Sequence, residues 1–179
     1  LSQPKTLELG AKAPDFSLLG VDGKRYSLKD FNKPVLVIIF SCNHCPYVQA
    51  FEDRIIAIAR DYRDKVQIVA INSNDEKAYP EDDYEHMVER AKKKGFNFPY
   101  LRDKEQTVVS AYGAVCTPHV FGFDKDRRLR YQGRIDDSKD PKMVKSNDLR
   151  NALDDLIAGK EVRTPLTRAF GCSIKWFIQ

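Results

Sequence analysis

Six consecutive apolar residues, Val35-Leu36-Val37-Ile38-Ile39-Phe40, run straight into Ser41-Cys42-Asn43-His44-Cys45-Pro46. So short a run, rich in β-branched residues and free of polar ones, reads as a strand covered on both faces, as in the middle of a parallel sheet. It is far below the roughly 20 apolar residues that a membrane-spanning helix requires. Pro46 cannot lie deep inside a helix, because its ring clashes with the carbonyl four residues back; a helix therefore begins close to it. Val48, Phe51, Ile55, Ala59 and Tyr62 then recur at spacings of three and four and mark its apolar face. The pattern predicts Cys42 near the N-cap and Cys45 in the first turn, with one thiol outermost and the other behind it.

The remaining segments extend this βα unit. Ala13 to Leu18, the turn Val21-Asp22-Gly23-Lys24 and Tyr26 to Leu28 read as an N-terminal hairpin. Val66 to Ile71 is a second buried strand. Pro80 opens a helix that Lys92-Lys93-Lys94-Gly95 closes. Phe98 to Leu101 is a short strand, and Asp103 with Gln106 suggests a capping box for a short helix through Tyr112, ended by Gly113. Val120 to Phe123 and Leu129 to Tyr131 form two strands around a turn. Ser146 caps a last helix with Leu149, Leu153, Leu156 and Ile157 on its core face. Gly171 to Phe177 is a small strand folded back on the body. The order predicts a parallel sheet with an antiparallel edge, covered by helices, in one domain over residues 1–179. Residues 1–30 would be a hairpin extension and 160–179 a tail packed on that domain.

With 179 residues and a net charge of +4, the chain is long enough to bury a core and only mildly basic. Lys and Arg are interleaved with Asp and Glu, so the Lys92–Lys94 run reads as a solvated helix end rather than a nucleic-acid site. Its start carries no basic segment followed by an apolar stretch. The expected location is the cytoplasm or, because the first residue is not Met, an exported form trimmed at its start.

The four cysteines are too few for a disulfide scaffold, and the C-x-x-C pair beside a βα unit points to redox chemistry. A cysteine at a helix N-terminus faces unsatisfied N–H groups, which favour the thiolate that attacks disulfides.

Cys42-Asn43-His44-Cys45-Pro46-Tyr47-Val48 occurs together with Ala13-Pro14-Asp15-Phe16, Ala111-Tyr112-Gly113-Ala114, Thr117-Pro118, Gly133-Arg134-Ile135-Asp136-Asp137 and Gly171-Cys172-Ser173-Ile174-Lys175-Trp176. As an ordered set these segments resemble the thioredoxin-fold redoxin group, which includes the alkyl hydroperoxide reductase/thiol-specific antioxidant proteins, and most closely its bacterial thiol-disulfide isomerase/thioredoxin-like branch. The resemblance implies a thioredoxin-like α/β fold, a mixed central sheet flanked by helices with an N-terminal hairpin and a redoxin-type αβ insertion. It makes Cys42 the attacking and Cys45 the resolving thiol of a thiol-disulfide oxidoreductase. Thr117-Pro118 would be a cis peptide beside the dithiol that offers backbone groups to a bound substrate chain. Two departures stand out. No carboxylate lies in the strand before the motif, so the proton acceptor is unidentified. The Thr or Ser that a peroxiredoxin places three residues before its reactive cysteine is replaced by Cys42.

His44 would stabilise the neighbouring thiolate and raise the reduction potential. Cys116 and Cys172 are auxiliary thiols, each either packed and inert or able to form a further link, with each other or between chains. Tyr47 lines a substrate groove or covers the helix start. Arg134, Asp136 and Asp137 read as a surface ion-pair cluster. The reading that results is disulfide exchange through Cys42 and Cys45 with protein or small-molecule disulfide and dithiol substrates, a redox partner protein and no cofactor. The alternative is a thiol peroxidase with Cys45 peroxidatic. A third reading is a metal or copper carrier, with His119 or His86 as the distant ligand.

Overall fold

The computed structural model describes residues 4–177. Its centre is a 7-stranded sheet in the order β2-β1-β5-β4-β3-β7-β8. The strands are β1 Leu18–Gly20, β2 Arg25–Tyr26, β3 Val35–Ser41, β4 Val66–Asn72, β5 Tyr100–Arg102, β7 His119–Phe123 and β8 Leu129–Gly133. The helices are α1 Pro46–Asp61, α2 Tyr84–Lys94, α3 Thr107–Tyr112 and α4 Asp148–Ile157. A separate two-stranded sheet joins β6 Cys116–Thr117 to β9 Cys172–Ser173. Among the described residues no helix is long and apolar enough to cross a membrane.

Only the middle of the sheet is parallel. β3 runs alongside β4, and β4 alongside β5, because α1 and α2 carry the chain back to the starting end each time. On both flanks the pairing is antiparallel, β7 on β3 and β1 on β5, which corrects the expectation of one antiparallel edge. The physical cause lies in α3. At six residues it is roughly 9 Å long, too short to return the chain across the sheet. β7 therefore enters at the end where β3 finishes, with His119 opposite Phe40. That end of the sheet also carries the cysteine motif.

The unbroken apolar run of β3 has the predicted cause. Val35, Val37 and Ile39 face a core completed by Phe51, Ile55, Met87, Leu149 and Leu153. Leu36, Ile38 and Phe40 face the opposite core with Val108, Val109, Tyr112, Phe16 and Phe31.

Several boundaries move for local reasons. Both hairpin strands are shorter than predicted, β1 lying later and β2 one residue earlier, and β1 joins the main sheet through β5. Pro80–Asp82 is a separate 3-10 turn; α2 starts only after Asp83, whose carboxylate accepts the His86 N–H at 2.9 Å. The Asp103–Gln106 capping box does not form. Asp103 accepts from the Val108 and Val109 N–H groups, while the Gln106 amide donates to the Ser73 and Lys175 carbonyls. Asn147, not Ser146, is the N-cap of α4, and Ile157 is 40% exposed rather than in the core.

After α4 the chain returns over the motif end of the sheet. Gln132 N–H donates to the Pro165 carbonyl and Thr167 N–H to the Gln132 carbonyl. Further on, Lys175 N–H donates to Asn74 Oδ1 and the Asp75 N–H to the Lys175 carbonyl. Between these anchors lies β9.

Ile38→Ala removes a fully buried side chain from the two-sided strand and should cost about 2–5 kcal/mol in urea unfolding. Ile157→Ala on the exposed face of α4 should stay within about 0.5 kcal/mol of the parent.

Candidate active site

Pro46 decides how the motif is arranged. A residue before proline is driven to extended backbone, and Cys45 accordingly has φ −72° and ψ 123° and serves as the N-cap of α1. Cys42 thus lies three residues outside the helix cap, which corrects its predicted place near the N-cap and moves Cys45 out of the first turn. Both sulfurs are enclosed, Cys42 at 2% and Cys45 at 0% exposure, so neither is outermost. They pack with Val48, Tyr47 and Cys172.

Thr117 touches both thiols. Its hydroxyl lies 3.5 Å from Cys42 Sγ, and its carbonyl oxygen lies 3.6 Å from Cys45 Sγ. The Thr117–Pro118 peptide is cis, as the resemblance implies.

The two motif thiols are hydrogen-bonded to one another and divide their protons unequally. The Cys42 side chain, donating to Cys45, is the largest influence that lowers Cys45, to about 4. Burial opposes this, and the Cys172 side chain and the Val48 and Cys172 N–H groups reinforce it. The same hydrogen bond, together with burial and the Asp82 carboxylate, pushes Cys42 far up. The resting negative charge therefore belongs on Cys45, at the helix mouth.

Asp82 is the functional residue that sequence reading missed. It is fully buried. Its Oδ1 accepts from the Asn43 N–H at 2.7 Å and Asn72 Nδ2 at 3.1 Å, and its Oδ2 accepts from Asn74 Nδ2 at 3.0 Å. β3 carries no acid, as its sequence shows, and the carboxylate arrives instead from the turn before α2. In the sequence, Pro80 followed by Glu81, Asp82, Asp83 and Glu85 reads only as a helix opening, and nothing there points toward the thiols.

His44 stacks on Tyr79, with ring centroids 5.4 Å apart. Its Nδ1 lies 2.5 Å from Asp82 Oδ2, out of line for a hydrogen bond. The imidazole thus addresses Asp82 on the Cys42 side of the pair, while the donors that favour the Cys45 thiolate are Cys42, Cys172 and Val48. Tyr100 OH donates to Asn43 Oδ1 at 2.7 Å and steadies the loop between the cysteines.

Cys42, His44 and Asp82 form a trio whose ligand atoms all lie within 4.8 Å of one another, the one such group among the described residues. Asp82 already receives three hydrogen bonds and the His44 contact, close to the capacity of a carboxylate. A metal ion there would have to displace His44 from it. His119 and His86 stand apart from the trio. His119 Nδ1 accepts from the Val115 N–H and its Nε2 meets Gln132 Oε1, and burial lowers its pKa. His86 pairs with Asp83 at 2.7 Å.

The other predicted residues fall into place around this centre. Cys116 is buried with its sulfur on the Pro118 carbonyl at 3.8 Å, and burial pushes its pKa up to about 12. Cys172 is partly exposed and beside Cys45. Tyr47 is covered by Phe170 from the tail, edge to face at 6.1 Å. Asp136 is not a surface residue: it is 3% exposed and pairs with Arg54 at 2.8 Å. Arg134 binds Asp148, and Asp137 accepts the Lys145 and Ser146 N–H groups. This cluster is structural.

The sequence profile of the AhpC/TSA family matches residues 9–132. Thiol-disulfide oxidoreductase ResA of Bacillus cereus (strain ATCC 10987 / NRS 248) is 25% identical over 130 residues, 72% of this chain and 70% of that protein. The crystal structure of a hypothetical protein, SMc02350 from Sinorhizobium meliloti 1021, superposes with a TM-score of 0.92 at 39% identity, covering 100% of both chains. The thioredoxin domain of a thiol-disulfide oxidoreductase from Bacteroides vulgatus shares the fold, with a TM-score of 0.61 at 16% identity over 71% of this chain and 89% of that domain.

Thiolate absorbance of the reduced protein should persist at neutral pH and disappear as the pH falls toward about 4. Because the folded pKa is depressed, the thiolate stabilises the fold fully above the ordinary thiol value of roughly 8.5, and that stability drains away between there and the folded pKa. Cys42→Ala removes the largest cause and should move the spectral midpoint upward; an unchanged midpoint would refute the shared-proton arrangement.

Proposed function

The chain belongs to the AhpC/TSA family, and from that premise we infer that it is a thiol-disulfide oxidoreductase whose Cys42 and Cys45 store the exchanged electron pair. The observation that carries this is two cysteine side chains packed in one cluster at a helix mouth, both touching Thr117 of the cis Thr117–Pro118 peptide. A thiolate at Cys45 supplies the nucleophile for a substrate disulfide. Cys42 then attacks Cys45 Sγ, releases the substrate as a thiol and leaves Cys42–Cys45 oxidised. Cys42 must lose its proton in that step, and the carboxylate of Asp82 with His44 beside it is placed to receive it. This exchanges the attacking and resolving roles that the resemblance implies. The reverse direction oxidises dithiols, and a redox partner protein closes the cycle. Protein or small-molecule disulfides are the substrate class.

Stabilising the Cys45 thiolate stabilises the reduced form, which raises the reduction potential. Equilibration with glutathione should place the pair above the roughly −270 mV of thioredoxin; a value below it would show that burial outweighs the donors around Cys45.

Cys42→Ser and Cys45→Ser should each abolish catalysed reduction of insulin disulfides. A second reading, a thiol peroxidase with Cys45 peroxidatic, is favoured by the low pKa of that thiol. Fast consumption of hydrogen peroxide that survives Cys42→Ser, with no insulin reduction by the parent, would replace the first reading with the second.

A further inference from the structure

The dithiol is closed off from the side on which a thioredoxin-like fold would receive a substrate chain. Strand β6, which ends at the cis peptide, pairs antiparallel with β9 of the chain's own tail, Thr117 opposite Cys172 and Cys116 opposite Ser173. A visiting strand cannot add to this edge while the tail occupies it. The tail is braced on both sides of the mouth, by Pro165 and Thr167 on β8 and by Lys175 on Asn74, Asp75 and Gln106. Gly171 comes so close that a Cβ there would lie 2.0 Å from the Thr117 carbonyl oxygen. Such an approach admits only glycine and delivers the next residue, Cys172, to the site.

Cys172 therefore occupies the place of a substrate cysteine. Its side chain packs on the Cys42, Cys45 and Val48 cluster. Of these three thiols it alone keeps substantial contact with solvent. Cys116 does not compete, since its sulfur is held by the Pro118 carbonyl and its register partner is Ser173.

Resting on the dithiol reading above, we propose that Cys172 is the entry thiol of a three-sulfur relay, taking a disulfide from an incoming substrate at the surface and passing it to Cys45 and Cys42. Cys172 loses its proton and attacks one sulfur of the substrate disulfide. The S–S bond breaks, a Cys172–substrate mixed disulfide forms, and the leaving thiolate takes the proton. The Cys45 thiolate then attacks Cys172 Sγ, forming Cys45–Cys172 and expelling the second half of the substrate as a thiolate. Cys42 loses its proton and attacks Cys45 Sγ; Cys42–Cys45 forms and Cys172 departs with the proton restored. One substrate disulfide is reduced by two electrons, the motif pair is oxidised, and Cys172 returns unchanged.

Oxidised glutathione is the probe, with products read by intact mass and peptide mapping. In Cys42→Ala the relay stops after its second transfer. The expected product is an intrachain Cys45–Cys172 disulfide, two hydrogens lighter than the reduced variant and without a glutathione adduct. A lasting glutathione adduct on Cys45 with Cys172 still a free thiol would overturn the relay. In an otherwise unaltered chain, Cys172→Ala should slow closure of the Cys42–Cys45 disulfide by about tenfold or more, because an intramolecular transfer is lost. Equal or faster closure would mean that the tail acts only as a cover, and would also overturn it. If the parent never forms a Cys42–Cys45 disulfide, the dithiol reading fails and the relay with it, an outcome distinct from the loss of Cys172 alone.

Discussion

A carboxylate taken wholly out of water has to be satisfied by donors held in place around it, and Asp82 meets that demand by drawing three segments together. The Asn43 N–H comes from the cysteine loop, Asn72 from the end of β4, and Asn74 from the loop that also holds the tail at Lys175. One buried charge thus links the motif, the sheet end and the strap that closes over them. It also puts negative potential next to Cys42, so it disfavours a second thiolate exactly where the pair would otherwise double its charge.

Electrostatics and packing therefore act on the sulfurs in the same direction. The donors, a helix N-terminus, the Val48 N–H and two neighbouring thiols, converge on Cys45, while the carboxylate stands beside Cys42. A pair loaded in this way gives up its first proton readily and keeps its second. Enclosure by β9, Tyr47 and Val48 strengthens each of these interactions by excluding water. It also leaves access to depend on the tail.

Much of the architecture was legible in one dimension. The apolar run before Cys42 implied a strand covered on two faces, and Val35, Val37 and Ile39 do face one core while Leu36, Ile38 and Phe40 face the other. The core stripe of α1 and the C-terminal glycine of α2 were also readable there, and the family resemblance implied the cis bond before Pro118. The sequence marked α3 as short, but periodicity could not reveal that β7 would therefore pair antiparallel with β3, nor that Asp136 is buried against Arg54. Those outcomes depend on where distant segments meet.

By itself the sequence determined the local chemistry: two thiols two residues apart, a proline that confines the helix start, and a strand whose composition demands burial. Local sterics and side-chain polarity suffice for such features, because they act between residues adjacent in the chain. Only the tertiary structure decided which thiol carries the charge, which acid lies beside the pair and which third sulfur meets it. Asp82 and Cys172 reach the site from 37 residues or more beyond Cys45 along the chain. Their effects fall off over a few ångströms, so nothing short of the folded chain could assign them.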